Sequence, residues 1–249
     1  DLTPNGEAEL LLVNATQPSI SPDGTRLAVR SVRSDLLGIG VYHLDEGSIL
    51  GLTSHQEDSL PNWSPTGDRL VFASTRHGDR RWRIYVQPAA TPGAAREITF
   101  GLDPDWHPSQ DLIAYKGCNE VGEQCGIWIM DADGQNRRPL TGNTSDSRPM
   151  WTPDGGALVF MSETRDGNWE VYAVNATTAA VTRLTNNPAH DGLPVVSPDG
   201  GWVAFVSNRG GVWGVWTVPI QGGVAREVFV LGPDLPNWLE EKIDWAQSR

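Results

Sequence analysis

The fold is decided by a short phrase that recurs along the chain, and its second copy reads Leu60-Pro61-Asn62-Trp63-Ser64-Pro65-Thr66-Gly67. Most copies continue through such a Gly-containing turn into a β-rich apolar run, for example Leu70-Val71-Phe72-Ala73. A period near 44 residues with β-rich units is typical of the stacked blades of a propeller, whereas helical repeats would place apolar residues about 3.6 positions apart. The proline of the phrase returns at Pro18, Pro61, Pro104, Pro149, Pro194 and Pro236.

Each unit predicts four antiparallel strands, with the proline opening the first strand, where no backbone N–H is needed. We therefore predict an all-β fold, a six-bladed β-propeller of four-stranded antiparallel blades, as a single domain over residues 1–249. The sixth blade is expected to be closed by both termini, residues 10–13 joining residues 235–246, because Leu235-Pro236-Asn237-Trp238 repeats the phrase. Most of its third strand is absent from the sequence, so a five-bladed ring with a C-terminal appendage is the alternative.

Composition and motifs exclude several classes of function. The net charge of −12 and the pI near 4.7 argue against a nucleic-acid partner. No apolar stretch approaches the roughly 18 residues of a membrane span. No nucleophile elbow, His-Glu-x-x-His motif or phosphate-binding loop occurs, so we predict neither an enzyme nor a cofactor. Asp131-Ala132-Asp133-Gly134 resembles the start of a calcium loop, but Gly142 stands where the bidentate glutamate should be, which favours a turn and no metal.

The stretch from Thr182-Arg183-Leu184-Thr185-Asn186-Asn187-Pro188 through Ser197-Pro198-Asp199-Gly200 closely resembles the TolB-like β-propellers, built from WD-like blades of the Pro-x-Trp-Ser-Pro-Asp-Gly type. The resemblance covers essentially the whole chain. It implies a non-enzymatic, extracytoplasmic (periplasmic or secreted) recognition or sensing module. Because the sixth unit lacks a strand and the sequence begins without methionine, we expect this module to be excised from a longer bacterial protein and tethered there to other domains. One alternative is the propeller of a prolyl-oligopeptidase-like hydrolase whose catalytic domain is absent. Another is a carbohydrate-binding propeller with tryptophan-rich loops.

Three aspartates define the candidate binding site. Asp58, Asp146 and Asp191 each stand five positions before the tryptophan or its equivalent, in the loop that enters a first strand. Such entry loops line one mouth of a propeller channel, so with Arg148 and His190 they predict a binding surface for a protein or small molecule. The acidic surface favours a cationic or polyhydroxyl ligand over an anionic one. The alternative is that each aspartate caps the backbone in an Asx turn.

Tryptophans and cysteines give two further expectations. Because Ile20 and Val196 take the tryptophan position in other units, that position is predicted to pack between blades. The tryptophans that share it are Trp63, Trp106, Trp151 and Trp238. Cys118 and Cys125, the only cysteines, flank a predicted hairpin of the third blade, and we expect them to form a disulfide, although two reduced thiols of a cytosolic protein would look the same.

Overall fold

The computed structural model describes residues 11–246 and shows an all-β propeller of five blades. Each blade is a sheet of four antiparallel strands that follow one another in chain order. The first blade contains β1 (Ala15–Ile20), β2 (Arg26–Arg33), β3 (Leu36–His43) and β4 (Ser48–Gly51). The second contains β5 (Ser59–Trp63), β6 (Arg69–Ser74), β7 (Arg83–Pro88) and β8 (Arg96–Phe100). The third contains β9 (Leu102–Trp106), β10 (Leu112–Gly117), β11 (Gly126–Asp131) and β12 (Arg138–Pro139).

The last two blades repeat this plan. The fourth contains β13 (Ser147–Trp151), β14 (Ala157–Ser162), β15 (Glu170–Asn175) and β16 (Val181–Arg183). The fifth contains β17 (Asp191–Val196), β18 (Trp202–Ser207), β19 (Trp213–Pro219) and β20 (Arg226–Gly232). Two short 3-10 helices, Arg209–Gly211 and Trp238–Glu240, complete the regular structure of the described residues. Because strand direction alternates, the loops entering first strands and those joining second to third strands lie on the same side of the ring.

The core lies between neighbouring blades. Trp63 of β5 packs with Ile39 and Val41 of the first blade, and its indole N–H donates to the Ser19 carbonyl at 2.8 Å. The matching Trp106 and Trp151 are also buried, at 3% and 6% exposure. The interblade role predicted for these three tryptophans is therefore confirmed.

The structure takes the five-bladed form, which corrects the six-bladed expectation. Residues 235–246, called here the C-terminal segment, contain one turn of 3-10 helix and no strand. Residues 11–13, expected to join them, form no strand either, and Leu10 lies outside the described residues. The physical reason is that a first strand needs a second strand to pair with, and the second needs a third. The sequence lacks most of that third strand.

Part of the C-terminal segment nevertheless stands where a sixth inner strand would be. Between adjacent blades, a side chain just after the proline accepts the backbone N–H of the next blade's inner strand, as Asn62 does for Trp106 at 2.8 Å. Asp105 does the same for Trp151 at 2.8 Å. The Asp244 carboxylate accepts the Ile20 N–H at 2.6 Å in the same way. The segment thereby hydrogen-bonds to the first blade as a preceding blade would.

The two cysteines form the predicted disulfide. Cys118 and Cys125 are bonded, with their Cα atoms 4.0 Å apart, across the loop between β10 and β11. Among residues 11–246 no helix has the length and apolar character needed to cross a membrane.

Candidate functional site

A ring of five residues lines the central channel, and we call it the channel ring. Each member directly precedes the proline of its blade and lies in a β-bulge of the first strand. Each also has a left-handed backbone, with φ between 51° and 57°, although none is glycine. Bulges of this kind redirect side chains. The ring consists of Gln17, Leu60, Asp103, Arg148 and Leu193.

Members of the channel ring hydrogen-bond to one another across blades. The Gln17 side-chain carbonyl accepts the Leu60 N–H at 2.8 Å, and the Asp103 carboxylate accepts the Arg148 N–H at 3.1 Å. The Arg148 guanidinium also lies 3.4 Å from the Asp103 carboxylate. These contacts hold polar groups at fixed positions where a ligand entering the channel would meet them.

Above the ring, on the side of the entry loops, lies a cavity of about 620 Å³ that we call the mouth groove. Its wall includes Val32, Leu37 and Trp82, apolar side chains that are 48%, 37% and 38% exposed. Arg30 and Arg148 add guanidinium groups, and Nη2 of Arg30 donates to the Gln56 carbonyl at 3.2 Å. The remaining lining residues are Gln17, Gln56, Glu57, Ser59, Leu60, Thr75, Leu102, Asp103, Leu239 and Glu240. An apolar wall with a few fixed polar groups suits recognition of a ligand.

None of the predicted aspartates lines this groove. Asp58, Asp146 and Asp191 are completely buried, and each pairs with an arginine from the next loop of its own blade. The pairs are Asp58 with Arg76 (2.8 Å), Asp146 with Arg165 (2.6 Å) and Asp191 with Arg209. In the hydrogen bonds that the structure gives them, the carboxylates accept from these guanidinium groups and, at Asp191, from the Ser207 hydroxyl. They tie two loops together and do not form Asx turns, the alternative role that the sequence suggested for them.

The arginines of these pairs also lie over aromatic rings. Arg76 lies 4.3 Å from the ring centre of Tyr85, and Arg209 lies 5.0 Å from that of Trp216. Sequence reasoning missed these arginines, although Ser74-Thr75-Arg76 and Ser207-Asn208-Arg209 repeat one pattern at the end of a second strand. Burial raises the pKa of Asp191, even though Arg209 and the Ser207 hydroxyl lower it. Desolvation therefore disfavours the ionised form of Asp191, and the positive charge of Arg209 favours it.

Arg148 and His190, the other predicted contacts, both meet the C-terminal segment. Arg148 lines the mouth groove and donates to the Leu239 carbonyl. The His190 ring stacks on Trp238 at 6.3 Å between centres. Of the five predicted contacts, Arg148 alone lines the mouth groove, while His190 is exposed beside Trp238 in the loop that enters β17.

Inside the channel the C-terminal segment brings a charged group against the inner strands. Nζ of Lys242 donates to the Pro61 carbonyl at 2.9 Å. Burial raises the pKa of Asp105 to about 7, which the positive charge of Lys242 partly opposes, and burial lowers the pKa of Lys242. A cavity of about 40 Å³ lies among these inner strands and residues 241–243. Within residues 11–246, no three His, Cys, Asp or Glu side chains are grouped so that they could hold a metal ion.

Comparison with known proteins places this architecture in a family. The Tol-Pal system protein TolB of Francisella tularensis is 26% identical over 197 residues, which cover 77% of this chain and 45% of that protein. The uncharacterised peptidase YuxL of Bacillus subtilis is 27% identical over 215 residues, covering 79% of this chain and 30% of that protein. The chain thus spans less than half the length of these two relatives.

A solved structure agrees with the sequence relatives. The structure described as putative TolB from Agrobacterium tumefaciens superposes with a TM-score of 0.73 at 25% identity, covering 88% of this chain and 81% of that one. The family described as TolB beta propeller domain matches residues 11–164 and 104–238, which together include all five blades. The chain therefore belongs to the TolB beta propeller domain family.

Proposed function

We propose that this propeller is a non-enzymatic, extracytoplasmic recognition module that binds a protein or small-molecule ligand at the mouth groove. The observation that carries the proposal is the groove itself, where exposed Trp82, Leu37 and Val32 face Arg30 and Arg148 on a rigid ring of blades. Exposed apolar side chains gathered at one concave site favour an interaction surface. The disulfide and the likeness to a Tol-Pal system protein support an extracytoplasmic location.

The residues predicted from the sequence have two different roles in this proposal. Arg148 contacts the ligand as part of the groove wall, and His190 contacts it from the loop that enters β17, where its ring is exposed beside Trp238. Asp58, Asp146 and Asp191 support the site by holding the entry loops through their arginines. The net charge of −12 favours a cationic or polyhydroxyl ligand.

Screening the protein on arrays of cationic peptides and oligosaccharides tests the proposal. For any probe retained, Trp82→Ala should weaken the Kd at least about tenfold, since it removes an interaction of order 1.4 kcal/mol or more, while the melting temperature changes little. Trp202→Ala is the matched control, because Trp202 is 36% exposed at the start of β18, on the opposite side of the ring. Equal loss of binding in Trp202→Ala and Trp82→Ala would place the ligand elsewhere.

A second candidate, the propeller domain of a prolyl-oligopeptidase-like hydrolase, is favoured by the similarity to the peptidase YuxL. In that case the groove would face a catalytic domain. Sequencing the complete gene distinguishes the two candidates, because an α/β-hydrolase region with a nucleophile elbow would support the peptidase.

A further inference from the structure

We propose that the C-terminal segment is a releasable clasp, which covers part of the mouth groove and channel in cis and controls access to them. This inference concerns the regulation of the site and rests on the proposed function. Its starting point is that Leu239 and Glu240 form part of the groove wall, while residues 241–243 line the channel cavity. Any ligand that reaches the channel ring must compete with them.

The first anchor of the clasp is Trp238. Its ring lies 5.2 Å from that of Trp213, 6.1 Å from that of Trp169 and 6.3 Å from that of His190. The floor of this pocket is Gly192, where an added Cβ would stand 2.6 Å from the Trp238 ring. The absence of a side chain at residue 192 therefore lets the indole approach the inner strand.

The second anchor is a set of polar contacts to the inner strands. The Glu240 carbonyl accepts from Nε2 of Gln17 at 2.6 Å, and the Leu239 carbonyl accepts from Arg148. Lys242 donates to the Pro61 carbonyl at 2.9 Å. Gln17 and Arg148 are members of the channel ring, so release of the segment would free the donors that a ligand in the channel would use.

Release should require less free energy than unfolding of a blade. The segment has no strand ladder, and most of its side chains are half-buried or exposed. The half-buried charge of Lys242 is partly desolvated, which lowers the pKa of this residue and offsets part of the stabilisation from the Trp238 contacts. Leu235, Ile243 and Trp245 also pack against the core cluster of the fifth blade, but none of them is fully buried. A segment without a ladder and without fully buried side chains opens locally before the whole structure unfolds.

The test uses the full chain and a fluorescent peptide with the sequence of residues 233–246. In one variant, Trp238→Ala and Lys242→Met are combined to remove the first anchor and the one contact of the second anchor that a side chain of the segment makes. In a second, Gly192→Ala excludes the Trp238 ring from its pocket. Peptide binding is followed by fluorescence anisotropy, and hydrogen exchange of the segment is followed by mass spectrometry. Trp202→Ala is the control, a tryptophan substitution away from the clasp.

We expect the peptide to bind the double variant at least tenfold more tightly than it binds wild type or Trp202→Ala, because the clasp no longer occupies the site. The peptide carrying Trp238→Ala should bind poorly to every form. In Gly192→Ala the segment should exchange faster while the blades stay protected. Equal binding to wild type and the double variant, or none to either, would overturn the proposal. So would loss of cooperative folding in both variants, since the segment would then be an integral part of the ring.

These outcomes are separable from those of the proposed function. An array probe that binds wild type and the double variant equally would contradict the clasp and leave the recognition role standing. Tight binding of the peptide to the double variant without any retained array probe would support the clasp and count against the recognition role.

Discussion

Replacing Arg209 with methionine should destabilise the fold by about 3–5 kcal/mol, because breaking a buried ion pair leaves an uncompensated charge. The Asp191 side chain is completely buried, and the Arg209 side chain is 14% exposed. Methionine keeps much of the apolar contact with Phe205 and Trp216 but loses the charge. The loss of folding stability in Arg209→Met therefore measures how much the guanidinium stabilises the buried carboxylate of Asp191.

The loss of stability in Arg209→Met should also depend on pH. Burial already raises the pKa of Asp191, so stability from this group is fully present below the unfolded pKa and is lost as pH rises through the folded pKa. Removing Arg209 raises the folded pKa further. The destabilisation of Arg209→Met should accordingly be smaller at about pH 5 than at about pH 8. Adding Asp191→Asn should recover about 0.5–3 kcal/mol, since the neutral amide needs no cation.

Urea unfolding followed by tryptophan fluorescence measures these differences, with unchanged m-values required for comparison. Arg33→Met is the control, because Arg33 pairs with the exposed Asp35 and its removal should hardly move the midpoint. The reasoning would be refuted if Arg209→Met behaved like Arg33→Met and showed no pH dependence. Asp191 would then again be a candidate for direct contact with a ligand, as the sequence predicted.

Three further outcomes are expected. Trp63→Ala and Trp151→Ala should each cost about 3–5 kcal/mol in urea unfolding, as truncation of a buried ring does; near-wild-type midpoints would show that these rings do not hold the blades together. Since burial raises the pKa of Asp105 to about 7, wild-type stability should fall as pH rises from about 4 toward 8, and Asp105→Asn, which still accepts the Trp151 N–H, should flatten that fall. Parallel pH profiles would contradict this. Reduction of the Cys118–Cys125 bond should cost less than the roughly 3 kcal/mol of a 15-residue loop. Thiol titration of the denatured, unreduced protein should find no free thiol, and two would disprove the bond.

The five blades were predictable because each is encoded locally. A proline at the start of a strand, a turn and an apolar run recur in register, and the substitution of Trp63 by Ile20 or Val196 in other units indicates a packing position. The sixth blade was not predictable in this way. Leu60-Pro61-Asn62-Trp63 and Leu235-Pro236-Asn237-Trp238 are identical, yet the first lies in β5 and the second enters a 3-10 helix. The difference is that β6 is present to pair with the first phrase.

The candidate site was predictable only in part. The recurrence of Asp58, Asp146 and Asp191 in entry loops pointed to the side of the ring on which the mouth groove lies. Each of these carboxylates binds an arginine 18 or 19 residues later instead of facing solvent. The choice between the two depends on loop geometry, which the spacing of residues along the sequence does not reveal. The mouth groove joins Leu37 of one blade to Trp82 of the next, and no local motif connects them.

At the left-handed bulges that line the channel, the backbone conformation does not depend on which side chain is present. In all five blades the backbone before the proline has the same conformation, while the side chain there is an amide, a carboxylate, a guanidinium or, twice, a leucine. Since a left-handed backbone disfavours β-branched residues, these positions admit most other side chains but should resist valine, isoleucine and threonine. A propeller of this kind could thus acquire a new binding preference by single substitutions at five equivalent positions, with no change to the strands that support them.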